Sequence, residues 1–160
     1  MSYPDFEYDG IPGSMRLELE DKPIRMIIEE TVHFNRDVPE GRREWFYNTL
    51  PPGSGTYVIG TQHRAMIIGL YHQLHCIDIL SNALSPPNNE NWSHVQHCLD
   101  YLRIISLCEP NLTLEAGDFT KRNFTEDRIG VEHVCRNWEV VYDVATENNK
   151  KWQEVKQTSV

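Results

Sequence analysis

Apolar residues recur along this chain at helical spacing in three segments, which proline-containing breaks separate. The first segment runs from about Arg64 to Leu84 and has apolar residues on two faces, which indicates a central helix rather than a surface one. With about 100° of rotation per residue, one stripe consists of Leu70, Leu74 and Ile77. The turn-forming sequence Pro86–Asn89 then predicts a reversal of the chain.

A second helix is predicted from about Asn91 to Leu107. Two helices joined by a short loop are expected to pack antiparallel. One face of this helix combines histidines with apolar side chains: His94, His97, Tyr101, Ile104 and Ile105. His72 and His75 lie opposite the apolar stripe of the first helix, so the histidine faces of the two helices are predicted to converge.

The third helical segment is predicted from about Val131 to Asn148, after an irregular stretch that starts at Pro110. Upstream of the helix pair, Leu17–Phe34 contains a β-branched and aliphatic run, which predicts an extended arm or strand. The remaining predicted elements are a short helix over Pro39–Asn48, a breaker at Pro51–Gly55 and a short strand over Tyr57–Ile59.

These elements predict a mainly α fold: a compact helical domain with a central antiparallel helix pair, an extended N-terminal arm and minor β structure. A single domain is expected over residues 17–149. It would lie between a flexible N-terminal segment, residues 1–16, and a C-terminal tail, residues 150–160. A length of 160 residues suits one domain with a real core.

Composition narrows the function classes. With 39% hydrophobic and 24% charged residues, the chain has the make-up of an ordinary globular protein. The net charge of -9 argues against a nucleic-acid partner, which usually binds a basic face. No stretch approaches the roughly 18–20 apolar residues that cross a bilayer, and Met1–Gly13 is too polar for a signal peptide. As given, the sequence predicts a soluble protein.

Cysteines and sequons favour the lumen of the secretory pathway over the cytosol. Disulfides require an even number of cysteines, and the chain has four: Cys76, Cys98, Cys108 and Cys135. Three Asn-x-Ser/Thr tripeptides make Asn91, Asn111 and Asn123 candidates for glycosylation. We therefore expect a lumenal protein, natively held by an N-terminal membrane anchor that this sequence lacks.

A doubled motif carries the candidate chemistry: His72–Cys76 (HQLHC) is echoed by His94–Cys98 (HVQHC). Two histidines at i and i+3 project from one face of a helix, close enough to chelate one ion. A single histidine on such a face is usually a hydrogen-bonded core residue. Burying four imidazoles without partners would be costly, and a metal ion satisfies them together. The sequence therefore predicts a metal site.

The type of metal stays open at this point, because imidazole ligands suit copper, zinc, nickel or iron. Thiolate ligation by the cysteines would favour zinc. However, Cys76 and Cys98 sit about 100° around the helix from the preceding histidines, so we favour disulfides, with three connectivities open. His63 and His133 are candidate additional ligands. They would raise the total to six, enough for three at each ion of a copper pair. A surface or capping role is the alternative.

The chain resembles the fungal UstYa family. The residues that carry the resemblance are Tyr71–Cys76 (YHQLHC), His97–Arg103 (HCLDYLR), Cys108, His133–Trp138 (HVCRNW) and Leu50–Gly55 (LPPGSG), within a similar region from about Leu17 to Tyr142. The resemblance implies a copper-dependent enzyme of fungal secondary metabolism, with one or two copper ions. It also implies a membrane helix before a lumenal domain.

Family resemblance further implies oxidative cyclisation, hydroxylation, desaturation or halogenation of a peptide or other natural product. Dioxygen or peroxide would be the co-substrate, and a homo-oligomer or a hetero-oligomer with a related family member is expected. Tyr71, Asp100 and Tyr101 are candidates for tuning the site or orienting its ligands, with packing or solvent exposure as the alternative. Two other functions stay open: a scaffold or binding subunit with structural zinc, and a metal-assisted hydrolase or dehydratase.

Overall fold

The computed structural model describes residues 7–8, 11–12, 15, 17, 22–31, 33–49, 55–60, 62–114, 121, 123 and 125–158. Within these residues the fold is mainly α, as predicted. The helices are α1 (Pro39–Thr49), α2 (Gly69–Leu84), α3 (Trp92–Cys108) and α4 (Glu139–Thr158). The strands are β1 (Glu7–Tyr8), β2 (Ile11–Pro12), β3 (Ile24–Glu29), β4 (Thr56–Ile59), β5 (Arg64–Ile67) and β6 (Ile129–Cys135). They form three antiparallel pairs: β1 with β2, β3 with β6, and β4 with β5.

Helices α2 and α3 pack against each other, and the main buried cluster lies between them. Asn91 caps α3, because its side chain accepts a hydrogen bond from the Ser93 backbone N–H. The buried residues of the interface are Cys76, Ile79, Val95 and Cys98, with Leu80, Ala83, Tyr101 and Leu102 packed around them.

This interface does not use the stripe that we predicted for α2. Ile77 is 41% exposed, and Leu99 of α3 is 51% exposed. Instead, the two cysteines are fully buried at the centre of the interface. A thiol behaves as a small hydrophobe, so these positions let the helices approach closely. Because α2 has apolar residues on both faces, the sequence did not show which face would be buried.

The prediction of a third helix was wrong at both ends. Residues 131–135 belong to β6, which pairs with β3 in a register that places Ile24 opposite Cys135. Helix α4 begins only at Glu139 and continues to Thr158, through residues predicted to form a loose tail. Because β3 lies about a hundred positions earlier in the chain, local spacing could not reveal this pairing. β3 lies within Leu17–Phe34, the segment predicted to form an extended arm or strand.

The start of the first long helix was also predicted too early. Residues 64–67 form β5, which pairs along its length with β4. Gly60 and His63 have positive φ angles of 67° and 50° in the connecting turn. Asn148 of α4 holds the hairpin from the side, since its amide group donates to the Val58 carbonyl and accepts from the Val58 N–H, both at 2.8 Å.

Arg36 joins the segment before α1 to the outer side of α2. Its guanidinium group donates to the side chains of Ser81, Asn82 and Asp78 and stacks over the Trp45 ring. On the other side, the Tyr142 hydroxyl donates to the Asn48 carbonyl at 2.8 Å, which links α4 to α1. The position of α2 is therefore fixed by several contacts besides α3. No described helix is both long enough and apolar enough to span a membrane.

Candidate metal centre

The four motif histidines face one another across the α2–α3 hairpin. His72 lies opposite His97, with ring centroids 5.8 Å apart, and His75 lies opposite His94, with centroids 5.4 Å apart. Along α3, the rings of His94 and His97 are 6.3 Å apart. The crossed order of these pairs follows from the antiparallel packing. The structure therefore brings together the residues that the doubled motif singles out.

The spacing of these rings suits a shared ion, but their orientation does not. A nitrogen about 2.0–2.1 Å from the ion on each of two rings would place the centroids roughly 5–6.5 Å apart. The rings of the two opposite pairs, however, lie within 25° and 38° of parallel. Among the described residues, no group of three or more His, Cys, Asp or Glu side chains is arranged to hold a metal ion. Ligation by His72, His75, His94 and His97 stays a prediction.

The surroundings of His72 favour its neutral imidazole form. Partial burial lowers the pKa of His72, and the neighbouring His97, His75 and His94 lower it further. Neutral imidazole is the form that binds metal ions. In the described part of the chain, no side-chain hydrogen bond engages the ring nitrogens of the four histidines. Their donor set is thus available to a ligand.

Tyr101 belongs to the cluster, whereas Tyr71 does not. The ring of Tyr101 lies 4.1 Å from that of His72, tilted by 31°. Tyr71 is only 2% exposed and packs edge-on against Tyr142 at 5.1 Å. Burial raises the pKa of Tyr71, whose hydroxyl has no hydrogen-bond partner among the described residues. The two tyrosines that flank the motifs thus have different surroundings.

Asp100 is exposed and pairs with Arg103. Its carboxylate accepts from the Arg103 guanidinium at 2.7 Å, and both side chains are 61% exposed. This pair borders an open groove of about 640 Å³ on the outer side of α3, lined by Ser93, Gln96, His97, Leu99, Asp100 and Arg103. Sequence reasoning missed this groove, because it depends on which side of α3 stays uncovered. His97 joins the groove to the histidine cluster.

The two additional histidines lie elsewhere in the described structure. His63 is exposed in the β4–β5 turn, where its ring lies 5.1 Å from that of Trp152. His133 is 7% exposed on β6, and its Nδ1 accepts a hydrogen bond from the Asn111 amide at 2.9 Å. The Thr113 N–H donates to Asn111 Oδ1, which fixes the orientation of that amide. The structure thus brings neither His63 nor His133 into the cluster.

Comparison with known families adds an independent line of evidence. The family described as "Mycotoxin biosynthesis protein UstYa" matches residues 50–154, about two thirds of the chain. The chain belongs to the UstYa family. The matched range contains all the motifs that carry the resemblance, although residues 50–54 of the LPPGSG turn lie outside the described residues.

Several curated UstYa family proteins from fungi are similar to the chain. UstYa family oxidase phomYb of Diaporthe leptostromiformis is 27% identical over 129 residues, 69% of this chain and 51% of that protein. Oxidase ustYa of Aspergillus flavus is 30% identical over 94 residues, 56% of this chain and 44% of that protein. Hydroxylase cctR of Talaromyces islandicus is 25% identical over 96 residues, 55% of this chain and 35% of that protein. The chain therefore spans about half of these relatives or less. No solved structure matches it.

The cysteines of this UstYa family chain divide into two environments. Cys76 and Cys98 are fully buried and lie side by side between α2 and α3. Burial and a hydrogen bond with Cys98 raise the pKa of the Cys76 thiol to about 12. Cys108 is exposed at the end of α3, and Cys135 is half-buried at the end of β6. All four are thiols in the structure, so disulfide formation stays a prediction.

The sequon asparagines all lie at the surface. Asn91, Asn111 and Asn123 are exposed. In each sequon, the backbone N–H of the third residue, a serine or threonine, donates to the asparagine Oδ1 at 2.9 to 3.2 Å. Their exposure is compatible with glycosylation, which stays a prediction.

Proposed function

We propose that this chain is a copper-dependent oxidoreductase of fungal secondary metabolism, which oxidises a C–H bond of a peptide or other natural product. Membership of the UstYa family and the relatives named oxidase and hydroxylase support oxidative chemistry. The observation that carries the proposal is the pairing of His72 with His97 and of His75 with His94 across one helix hairpin.

The four histidines would hold the copper. The donor set is all imidazole, which suits copper, and the spacing of the rings allows ligation once the rings turn about their side-chain bonds. Copper would supply one-electron redox chemistry towards dioxygen or peroxide. One ion shared by all four side chains and two ions held by separate cross-helix pairs are both compatible with the spacing.

The protein's own residues would exclude water from one side of the site and leave the other side accessible to substrate. Beneath the histidines, the buried cluster around Cys76 and Cys98 excludes water. On the outer side, His97 is exposed and borders the groove that ends at Arg103. We infer that the substrate approaches along this groove. Leu99 offers it apolar contact, and the Asp100–Arg103 pair offers hydrogen bonds.

We also propose that the protein works in the lumen of the secretory pathway. The three exposed sequon asparagines are compatible with this location. The chain covers only part of the length of its relatives. The oxidative activity of the whole protein is therefore also part of this proposal.

Metal analysis tests the proposed function. We would purify the protein from a copper-supplemented fungal or yeast secretory host and measure bound metals together with an electron paramagnetic resonance spectrum. The same measurements would be made on His75→Ala/His97→Ala, which removes one histidine from each opposite pair. His63→Ala is the matched control, because that histidine contacts Trp152 instead of the cluster.

Copper bound in stoichiometric amount, lost in the double variant and retained in the control, is the expected result. A strong Cu(II) signal would indicate isolated ions, and a silent spectrum would indicate a coupled pair or Cu(I). Tightly bound zinc, or metal content unchanged in the double variant, would contradict copper at this site. Zinc would favour a structural role in a scaffold subunit.

A further inference from the structure

We propose that the mature protein contains two disulfides, Cys76–Cys98 and Cys108–Cys135, which close the α2–α3 hairpin at its centre and tie its end to the β3–β6 ribbon. Four cysteines allow three connectivities, and sequence alone does not distinguish them. The structure selects one of the three, because it divides the cysteines into two neighbouring pairs at different places in the fold.

The first pair lies in a single buried cluster. Cys76 of α2 and Cys98 of α3 both belong to the cluster between the two helices. Each follows the second histidine of its motif, so the two residues occupy equivalent places on facing helices. Both are 0% exposed, which leaves each thiol with the other as its disulfide partner.

The second pair is brought together by the segments on either side of it. Arg136, next to Cys135, pairs with Glu109, next to Cys108, at 3.4 Å. Further along, Asn111 donates to His133 at 2.9 Å. These two contacts show residues 109–111 running antiparallel to residues 133–136. Cys108 and Cys135 therefore lie at the same end of this crossing.

Each bridge would form by thiol–disulfide exchange with a disulfide-carrying oxidoreductase of the lumen. A thiolate of the pair attacks the carrier disulfide, and the second thiolate displaces the carrier from the mixed disulfide. One S–S bond forms in the protein and one breaks in the carrier, and the two electrons and two thiol protons convert the carrier to a dithiol. The Cys76–Cys98 bridge would fix the register of α2 against α3, and with it the opposition of the histidine pairs.

Peptide mapping without reduction tests the pairing. The secreted protein would be denatured in an alkylating agent, then digested with trypsin and a glutamyl endopeptidase. Trypsin alone leaves Cys76 and Cys98 in one peptide, residues 65–103, but cleavage after Glu90 separates them. We expect residues 65–90 linked to 91–103, and residues 104–115 linked to a peptide containing Cys135, because the Glu109–Pro110 bond resists cleavage. The intact mass should be four hydrogens below that of the reduced chain.

Reduction of the folded protein provides a second readout. A mild reductant should open the bridge at exposed Cys108 and leave the buried Cys76–Cys98 bridge closed until denaturant is added. Cys108→Ser/Cys135→Ser is the matched variant, expected to fold and retain the buried bridge. Either other connectivity, or free thiols at 76 and 98, would overturn the proposal. Metal content of the same sample separates the two proposals: copper with free thiols contradicts the pairing alone, and correct bridges without copper contradict the metal site alone.

Discussion

Tyr101 covers one face of His72 from the opposite helix, with ring centroids 4.1 Å apart. Partial burial lowers the pKa of His72, and the three other motif histidines lower it further. The tyrosine hydroxyl lies 4.0 Å from the point where a β-carbon on Gly69 would stand, so the first turn of α2 leaves room for the ring. Tyr101 therefore limits how His72 can turn.

Removing this ring should weaken metal binding. An aromatic pair contributes about 0.5–1.5 kcal/mol beyond its buried area, so we expect Tyr101→Ala to raise the copper Kd by roughly three- to tenfold. Tyr101→Phe keeps the ring and should bind copper like the parent protein. Competition with a chromophoric chelator would measure both variants. Equal affinities for Tyr101→Ala and the parent would show that the stacking does not hold His72 in place.

Arg36 should contribute strongly to stability. Its side chain is 13% exposed and joins the segment before α1 to three side chains of α2, including Asp78, which is 22% exposed. Arg36→Ala leaves that partly buried carboxylate without its cation, which we expect to lower the free energy of unfolding by about 2–3 kcal/mol.

Arg43→Ala is the matched control for Arg36. Arg43 pairs with Glu40 one turn away, and the two side chains are 66% and 69% exposed. Screening by water should keep its loss below about 0.5 kcal/mol. Urea denaturation of both variants would measure their free energies of unfolding. Equal losses for the two arginines would exclude the α2 contacts as the source of stability.

Glu44 should make the fold sensitive to acid. Its carboxylate accepts from the Phe34 N–H at 2.7 Å and contacts the His33 ring, and these contacts lower the pKa of Glu44 below 4.5. Because the folded pKa is lowered, the contribution to stability is present above pH 4.5 and is lost as the pH falls through the folded pKa.

Thermal unfolding of the metal-free protein, followed from about pH 6 to about pH 3, would measure this effect. Glu44→Gln should lower the Tm at pH 6 and flatten its fall at lower pH. Glu40→Gln alters an exposed carboxylate on the same helix and should leave the acid profile unchanged. An identical profile for Glu44→Gln and the parent protein would rule out this origin of the acid sensitivity.

The hairpin and its histidines could be predicted because their information is local. Helical spacing, the Pro86–Asn89 turn and the repeated HxxHC pattern all lie within about forty residues. The strand at Val131–Cys135 could not be predicted in this way. This segment forms a strand because it pairs with β3, which lies far earlier in the chain. His133 was a candidate ligand for the same reason: on a helix it had no assigned partner, whereas on β6 it bonds to Asn111.

Cys76 and Cys98 are buried between α2 and α3, so the last position of each HxxHC motif serves packing, and the motif histidines face one another across the same hairpin. The size of the side chains at these two positions therefore sets the distance between the axes of α2 and α3. A bulkier residue there would spread His72 from His97 and His75 from His94 without touching any of them. If the histidines bind copper as proposed, metal preference would be open to adjustment from these two positions, which are not ligands themselves.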